Sequence, residues 1–316
     1  MTESKNIFSS LNLLRGWILD LYPSAPGKMT VWVISEKGER LKFIDEFQPK
    51  IYIAANATDL SKLEERVRNS KSVVKWTYTE KNADFMNDKK SRVLEITIAD
   101  CRERLQFARK VLRLGGFQAY RLFNIDVPDV QAYLYERDIF PLAFVGMTVQ
   151  GKKLAYWLMD SVESVDYQLP PLRQLYLRVQ VAKKRIVPTF NDTIESINIE
   201  SNGKETSINE GDERQKILSL VKVVQKADPD IVLTEGGDSF VLPYLAHRAL
   251  ANGILNRLIL GRDLLQLKGQ RLHGTTYFSY GRVYFKAPMR RLYGRIHVDV
   301  QNTFIHSACD LQGLIE

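Results

Sequence analysis

Between Asp263 and Asp299 the chain has no acidic residue, where its average acid content would put about four. The same stretch carries Lys268, Arg271, Arg282, Lys286, Arg290, Arg291 and Arg295, interleaved with Tyr277, Phe278, Tyr280, Tyr284, Phe285 and Tyr293. Cations at this density neutralise phosphates, and exposed rings stack on bases at roughly 1–3 kcal/mol each, which suits single-stranded nucleic acid. The same residues also suit a sheet edge whose rings face inward and whose bases keep it soluble. Tyr280-Gly281 interrupts the β-rich run as a turn would, so a long hairpin is expected over 271–287. A second basic row, Arg102, Arg109 and Arg113, falls on one side of an amphipathic helix expected over 100–114, with Leu105, Ala108, Val111 and Leu112 on the other. Such a row tracks a phosphate backbone or is simply a solvated helix face.

The carboxylates are more scattered. Asp238 stands between a strand and a helix expected to start near Phe240, where an N-cap is the plainest role. Gly236-Gly237 before it forms a strand-to-helix turn, or a cradle for a phosphate at the helix start. His297 and Asp299 share one strand face as a buried polar pair, and Asp228 and Asp230 flank a proline as turn residues. The two cysteines, Cys101 and Cys309, support neither a disulfide framework nor a Cys-based zinc site, and four histidines argue against a His-rich metal site.

These residues need elements to position them. Short β-rich runs at 17–21, 30–34, 41–44 and 50–53, a helix at 58–69 capped by Thr58 or Asp59, and strands at 73–78 and 92–98 come first. The helix at 100–114, stopped by Gly115-Gly116, a shorter helix at 129–137 and two strands within 141–160 follow. Leu169-Pro-Pro-Leu172 is a rigid break, and we place a domain boundary there, giving domains 1–170 and 171–316. Beyond it the order is strand (174–181), strand (193–200), a polar loop (201–211), helix (212–227), strand (230–234), helix (240–252), the hairpin and a strand at 295–300. Strands alternating with helices after an antiparallel pair imply a mixed α/β sheet, so the fold class is α/β in the mixed α+β sense, behind a β-rich N-terminal domain.

At 316 residues, 45% apolar and 26% charged, the chain is an ordinary globular one, and disorder, collagen and coiled-coil readings fall away. The net charge of +8 fits nucleic acid or an anionic surface. No run reaches the roughly 18–20 apolar residues that span a bilayer, and Leu11–Tyr22, broken by Arg15 and Asp20, is no secretory signal. A soluble cytoplasmic protein is expected. The closing Asp310-Leu-Gln-Gly-Leu-Ile-Glu316 looks ready to continue as a helix, as a fragment of something longer would.

Two stretches together resemble family B DNA polymerases. Asp228-Pro-Asp-Ile-Val-Leu-Thr-Glu-Gly-Gly-Asp-Ser-Phe-Val-Leu-Pro-Tyr-Leu245 is similar to the second exonuclease motif, in which a strand ends in Asn-x-x-x-Phe-Asp or a close variant and a helix opens with Tyr-Leu. Gly294-Arg-Ile-His-Val-Asp299 resembles the strand after the family's exonuclease hairpin. Leu260-Gly-Arg-Asp263 is a smaller match between them, and Lys37-Gly to Phe47-x-Pro49-x-x-Tyr52 resembles the opening of the N-terminal domain. The match runs in order along nearly the whole chain and is closest to the degenerate branch of archaea and some bacteria.

The resemblance implies an N-terminal domain, then a 3′→5′ exonuclease domain of ribonuclease H-like fold, with the polymerase domain to follow. It implies DNA as partner, single-stranded or primer-template, a C-terminal polymerase domain as the other partner, nucleotide binding, and a role in replication or repair. In the family, exonuclease hydrolysis uses two divalent cations held by converging carboxylates. The first motif is Asp-x-Glu on a strand; here Leu175–Val181 is the matching strand, supported by the return strand in 187–197, and places Arg178 and Gln180 where the carboxylates belong. A guanidinium there repels the cations it displaces ligands from, and Arg178 is expected to pair with Asp238 or hold a phosphate oxygen. Asp238 is taken as the remnant of the second motif, with Gly236 replacing its Asn and Val241 standing where an acid is common. An inactive exonuclease-like site with no metal follows, Mg2+ entering only if that site or the absent polymerase domain works. The alternatives are an active nuclease using Asp192, Glu195 or Asp299 beside Asp238, and a protein-interaction scaffold. The nucleic-acid contacts are assigned to Arg271, Tyr277, Tyr280, Arg282, Tyr284, Lys286, Arg290 and Arg291.

Overall fold

Among the described residues, alternating apolar side chains give three principal sheets, each with one face built for burial. The computed structural model describes residues 13–84, 86, 89–161, 163, 166–182, 187–267, 274–279 and 281–301. The chain divides into two compact units, 1–170 and 171–316.

The first unit opens with the strands β1 (Leu14–Ala25), β2 (Lys28–Ser35) and β3 (Arg40–Glu46). Then come β4 (Lys50–Ala54), α1 (Ala57–Val67), β5 (Val73–Asn82), β6 (Lys90–Ile98), α2 (Arg104–Leu114), β7 (Arg121–Phe123), α3 (Asp129–Arg137), β8 (Phe144–Gln150) and β9 (Lys153–Leu158). They make two sheets, ordered β3-β2-β1-β8-β9 and β5-β6-β4-β7. The first packs Met29, Val31, Val33, Val145 and Met147 against Tyr133 and Leu134 of α3. Asp45, fully buried there, accepts from the Tyr133 hydroxyl (2.8 Å), the Arg137 guanidinium and the Leu154 amide (2.9 Å), so its charge is fully hydrogen-bonded. The second sheet buries Ile51, Ile53, Leu94, Ile96 and Ile98 under α1 and α2.

Two helix readings in this unit change in the structure. Asn56, rather than Thr58 or Asp59, caps α1, its side chain accepting from the Asp59 amide at 2.9 Å. A 3₁₀ turn over Cys101–Glu103 precedes α2. Within α2 the buried stripe is Arg104, Phe107, Ala108 and Val111, and Leu105, one residue round the helix from Arg104, faces solvent. The basic row is broken by the same turn, Arg102 being tied to Asp100. Cys101 is a free thiol, pushed up to about 11 by burial and by Asp129. Cys309 lies outside the described residues.

The second unit contains β10 (Gln174–Val181), β11 (Ile194–Ser201), β12 (Lys204–Ile208), α4 (Glu213–Ala227), β13 (Ile231–Thr234), a π turn at Gly237–Val241, α5 (Leu242–Ala251), the hairpin β14 (Thr275–Ser279) and β15 (Arg282–Lys286), and β16 (Ile296–Asp299). Its sheet runs β12-β11-β10-β13-β16, antiparallel up to β10 and parallel from β10 through β13 to β16. This is the mixed α+β arrangement expected. The loop read over 201–211 proves to hold β12. Asn202 and Gly203, both at positive φ, make the tight turn, and the strand is polar on both faces because it lies at the sheet edge. Leu175, Leu177, Ile197, Ile199 and Val232 face a core completed by α4 and α5. Asp212 caps α4 in a reciprocal box with Gln215. Among the described residues no helix is long and apolar enough to cross a membrane.

Candidate functional site

Where β13 and β16 end, a left-handed Gly236 (φ 66°) turns the chain into the π turn. The amides of Gly236 and Asp238 then donate to the two oxygens of the Asp299 carboxylate, each at 2.9 Å. Gln301 adds a third amide at 3.2 Å. The glycine cradle foreseen for a phosphate is filled by the chain's own carboxylate.

Asp238 is not a helix N-cap, since it lies within the π turn. Its Oδ1 instead accepts from the Arg290 amide at 2.6 Å and lies 3.4 Å from His297 Nδ1. Nδ1 also faces the Arg290 carbonyl at 3.0 Å. Two oxygen acceptors on one nitrogen place a proton on Nδ1, and Nε2 is hydrogen-bonded to the Thr234 hydroxyl at 2.8 Å. Thr234, Asp238, His297 and Asp299 are all buried. A Cβ on Gly237 would fall 1.9 Å from Thr234 Oγ1 and 2.7 Å from His297 Nε2, so only glycine admits this network. Asp238 thus clamps the segment that leaves the hairpin.

Arg178 does not join this cluster, contrary to the pairing expected. Side chains alternate along a strand, and the register sets Leu177 opposite Thr234, and Thr234 opposite Asp299. Those residues share the helix-covered face with Val232, while Tyr176, Arg178 and Gln180 take the other face. Arg178 is exposed, its guanidinium 4.3 Å from the centre of the Tyr176 ring, and the Tyr176 hydroxyl donates to Glu235. Among the described residues Arg178 makes no ion pair with Asp238. Gln180 accepts from Ser196 Oγ at 2.7 Å. The spacing Asn-x-x-x-Phe-Asp, with Gly236 first and Phe240 as its Phe, further puts Val241 rather than Asp238 at the motif aspartate. Val241 is buried in the core.

A pair of dications needs several carboxylates with free lone pairs around one point. The residues present do not fit. Arg178 and Gln180 supply no anionic oxygen, Asp299 is engaged by three amides, and Asp238 is engaged by Arg290. Asp192, offered as a substitute, accepts from Thr189 N and Oγ1 at 2.8 and 3.0 Å, and Glu195 is exposed on β11. Among the described residues no group of three or more His, Cys, Asp or Glu is arranged to hold a metal.

The opposite end of the sheet carries a cluster that the sequence reading left as turn chemistry. Asp230, with no exposure, pairs with Arg262 at 2.7 Å and accepts from the Arg173 amide. Asp228 pairs with Arg262, Arg295 and Arg173 at 2.8, 2.9 and 3.2 Å. Arg295, counted among the hairpin's bases, is therefore a buried structural residue, lowered to about 10 by burial and by Arg262.

Of the proposed nucleic-acid contacts, Arg271 and Tyr280 and the side chains of Tyr277, Arg282 and Tyr284 lie outside the described residues. Lys286 and Arg291 are exposed. Arg290 is half-buried, its backbone amide bonded to Asp238 and its guanidinium lowered by burial. The register separates what the sequence interleaves. Phe278 opposes Val283 and Thr276 opposes Phe285, so one face carries Phe278, Val283 and Phe285, exposed at 72%, 72% and 60%. Lys286 belongs to the other face, opposite Thr275.

Comparison with known proteins agrees with the motifs. The DNA polymerase of Archaeoglobus fulgidus is 24% identical over 296 residues, 91% of this chain and 35% of that protein. The DNA polymerase of Pyrococcus glycovorans is 46% identical over 74 residues, 23% of this chain and 9% of that protein. The fold matches that of the family B DNA polymerase from Pyrobaculum calidifontis with a TM-score of 0.71 at 22% identity, over 93% of this chain and 37% of that one. No family model matches the sequence. The resemblance to family B DNA polymerases is borne out over most of the chain, which spans about a third of the length of the Archaeoglobus relative.

Proposed function

We propose that this chain, similar along most of its length to archaeal family B DNA polymerases, is a polymerase-related protein of the cytoplasm. It binds DNA in replication or repair and acts with a polymerase domain, while its exonuclease-like unit performs no hydrolysis. The observation that carries this reading is a separation: Arg178 and Gln180 lie on the open face of the sheet, while Asp299 on its other face and Asp238 in the π turn are bonded internally. An arginine is permanently charged and presents only donors, so it leaves no ligand for a cation and repels one.

The retained Asp238 has a structural task in this scheme. By accepting from the Arg290 amide it fixes the stem of a hairpin whose Lys286 and exposed phenylalanines suit DNA backbone and unstacked bases. The hairpin contributes binding without chemistry.

The test is a nuclease assay on a 5′-labelled single-stranded oligonucleotide with Mg2+ or Mn2+. The parent chain is expected to leave the 3′ end intact under both metals. Metal-dependent shortening by the parent, abolished by Asp299→Asn, contradicts the proposal.

A further inference from the structure

Helix α2 turns Arg104, Phe107, Ala108 and Val111 inward. A helix rotates roughly 100° per residue, so Leu105, Arg109, Leu112 and Arg113 line one outer flank. Leu105 is 52% exposed and Leu112 is half-buried. From Arg104 to Ile125 the sequence has four arginines, one lysine and no acid. Arg104 is tied to Asp129. Arg109, Lys110 and Arg113 are exposed, and among the described residues none of them pairs with a carboxylate.

The helix closes with two backbone hydrogen bonds. The Gly116 amide donates to the Arg113 carbonyl at 3.1 Å and the Phe117 amide to the Leu112 carbonyl at 2.8 Å, with Gly116 at φ 57°. In this Schellman closure the residue at the place of Phe117 usually packs back onto the last turn. Phe117 is instead 68% exposed. Its own φ is 62°, a left-handed backbone that strains a bulky residue. Packing accounts for neither the strain nor the exposure. The bond to Leu112 sets the two residues side by side, so the ring continues the flank.

Apolar side chains alternating with unpaired guanidinium groups fit an amphipathic protein segment. Its apolar residues cover Leu105, Leu112 and Phe117, and its carboxylates take Arg109 and Arg113 as bidentate partners. A phosphate backbone engages the arginines but leaves both leucines in water, because leucine offers no face on which a base stacks. A helix also has no free strand edge, so side chains hold the partner, helix against helix.

We propose that this flank of α2, with Phe117 at its end, docks an acidic amphipathic helix of a partner protein. The surface belongs to the first unit and depends neither on DNA binding nor on the exonuclease-like unit.

The test is fluorescence anisotropy of the 316-residue chain with a labelled helical peptide about 18 residues long, carrying leucine and phenylalanine on one face and glutamate beside them. Two controls exchange every glutamate for lysine, or every leucine and phenylalanine for serine. The acidic apolar peptide is expected to bind, and both controls to bind about tenfold more weakly or worse. Arg109→Ala combined with Arg113→Ala should raise its Kd about tenfold, at exposed positions that leave the core untouched. Phe117→Gly should weaken binding about fivefold while the melting temperature holds or rises, because glycine takes a left-handed backbone without strain. Failure of the acidic peptide to bind overturns the proposal, as does parent-like affinity in either variant or in the serine control. A lower melting temperature for Phe117→Gly also overturns it, since the ring then serves packing. A labelled DNA single strand is measured alongside: if its affinity falls in the same variants while the peptide stays unbound, the flank belongs to nucleic acid and the proposal fails.

Discussion

The two ends of the sheet in the second unit satisfy carboxylates by opposite means. Where β13 and β16 begin, Asp228 and Asp230 are neutralised by Arg173, Arg262 and Arg295. Where the same strands end, Asp238 and Asp299 are held by backbone amides and by His297. The first arrangement depends on charge and the second on the close approach of backbone at Gly236 and Gly237. Neither end leaves a carboxylate free for a cation. The difference teaches that acids at the two ends of one sheet can serve architecture alone, through charge at one end and backbone amides at the other.

Removing one charge from the first end should have the largest effect. Asp230→Ala leaves the buried Arg262 with only the half-exposed Asp228, and urea denaturation should show a loss of about 3–5 kcal/mol. A loss below 1 kcal/mol would mean that Asp228 neutralises both arginines by itself, and the contrast between the ends would weaken. At the second end Gly237→Ala forces Thr234 and His297 apart, with an expected cost of about 2–3 kcal/mol by the same measurement. An unchanged midpoint would show that the turn yields and that the amide-held network is loose.

A third, smaller effect calibrates both. Burial pushes the Glu213 carboxyl up, but hydrogen bonds from the Arg248 guanidinium, the Ile194 amide and Asn252 outweigh it and hold it below the usual glutamate value. A depressed folded value means that this contribution is complete above the unfolded value and is lost as pH falls through the folded one. Glu213→Gln should cost about 1–2 kcal/mol at neutral pH, and the gap from the parent should close on acidification through that range. A gap constant with pH would contradict the ion pair.

Much of this fold is legible in the sequence because burial and alternation act locally. Strand β10 and helices α3 and α4 fall where periodicity and caps place them, and the Tyr-Gly turn separates β14 from β15. The misses have physical causes. The β12 edge strand has no apolar side, so only Asn202-Gly203 announced it. In α2 the charged Arg104, with Phe107, completes the buried stripe, so Leu105 faces outward, and residue type alone pointed the other way. At the site, residue types were readable but faces were not. Arg178 and Asp238 seemed natural partners by charge, and only the register across β10, β13 and β16 separates them. The Asp228–Arg262–Arg295 cluster joins residues more than thirty positions apart, a pairing that no local pattern signals.

The central claim is that the acids remaining at the end of β13 and β16 bind backbone rather than metal. Electron paramagnetic resonance of Mn2+ titrated into the parent chain tests it most directly, because bound manganese loses its sharp six-line signal. The account expects the free-ion signal to grow in proportion to added metal from the first addition. Loss of that signal for up to two equivalents at micromolar concentration, restored by Asp299→Asn, would contradict it.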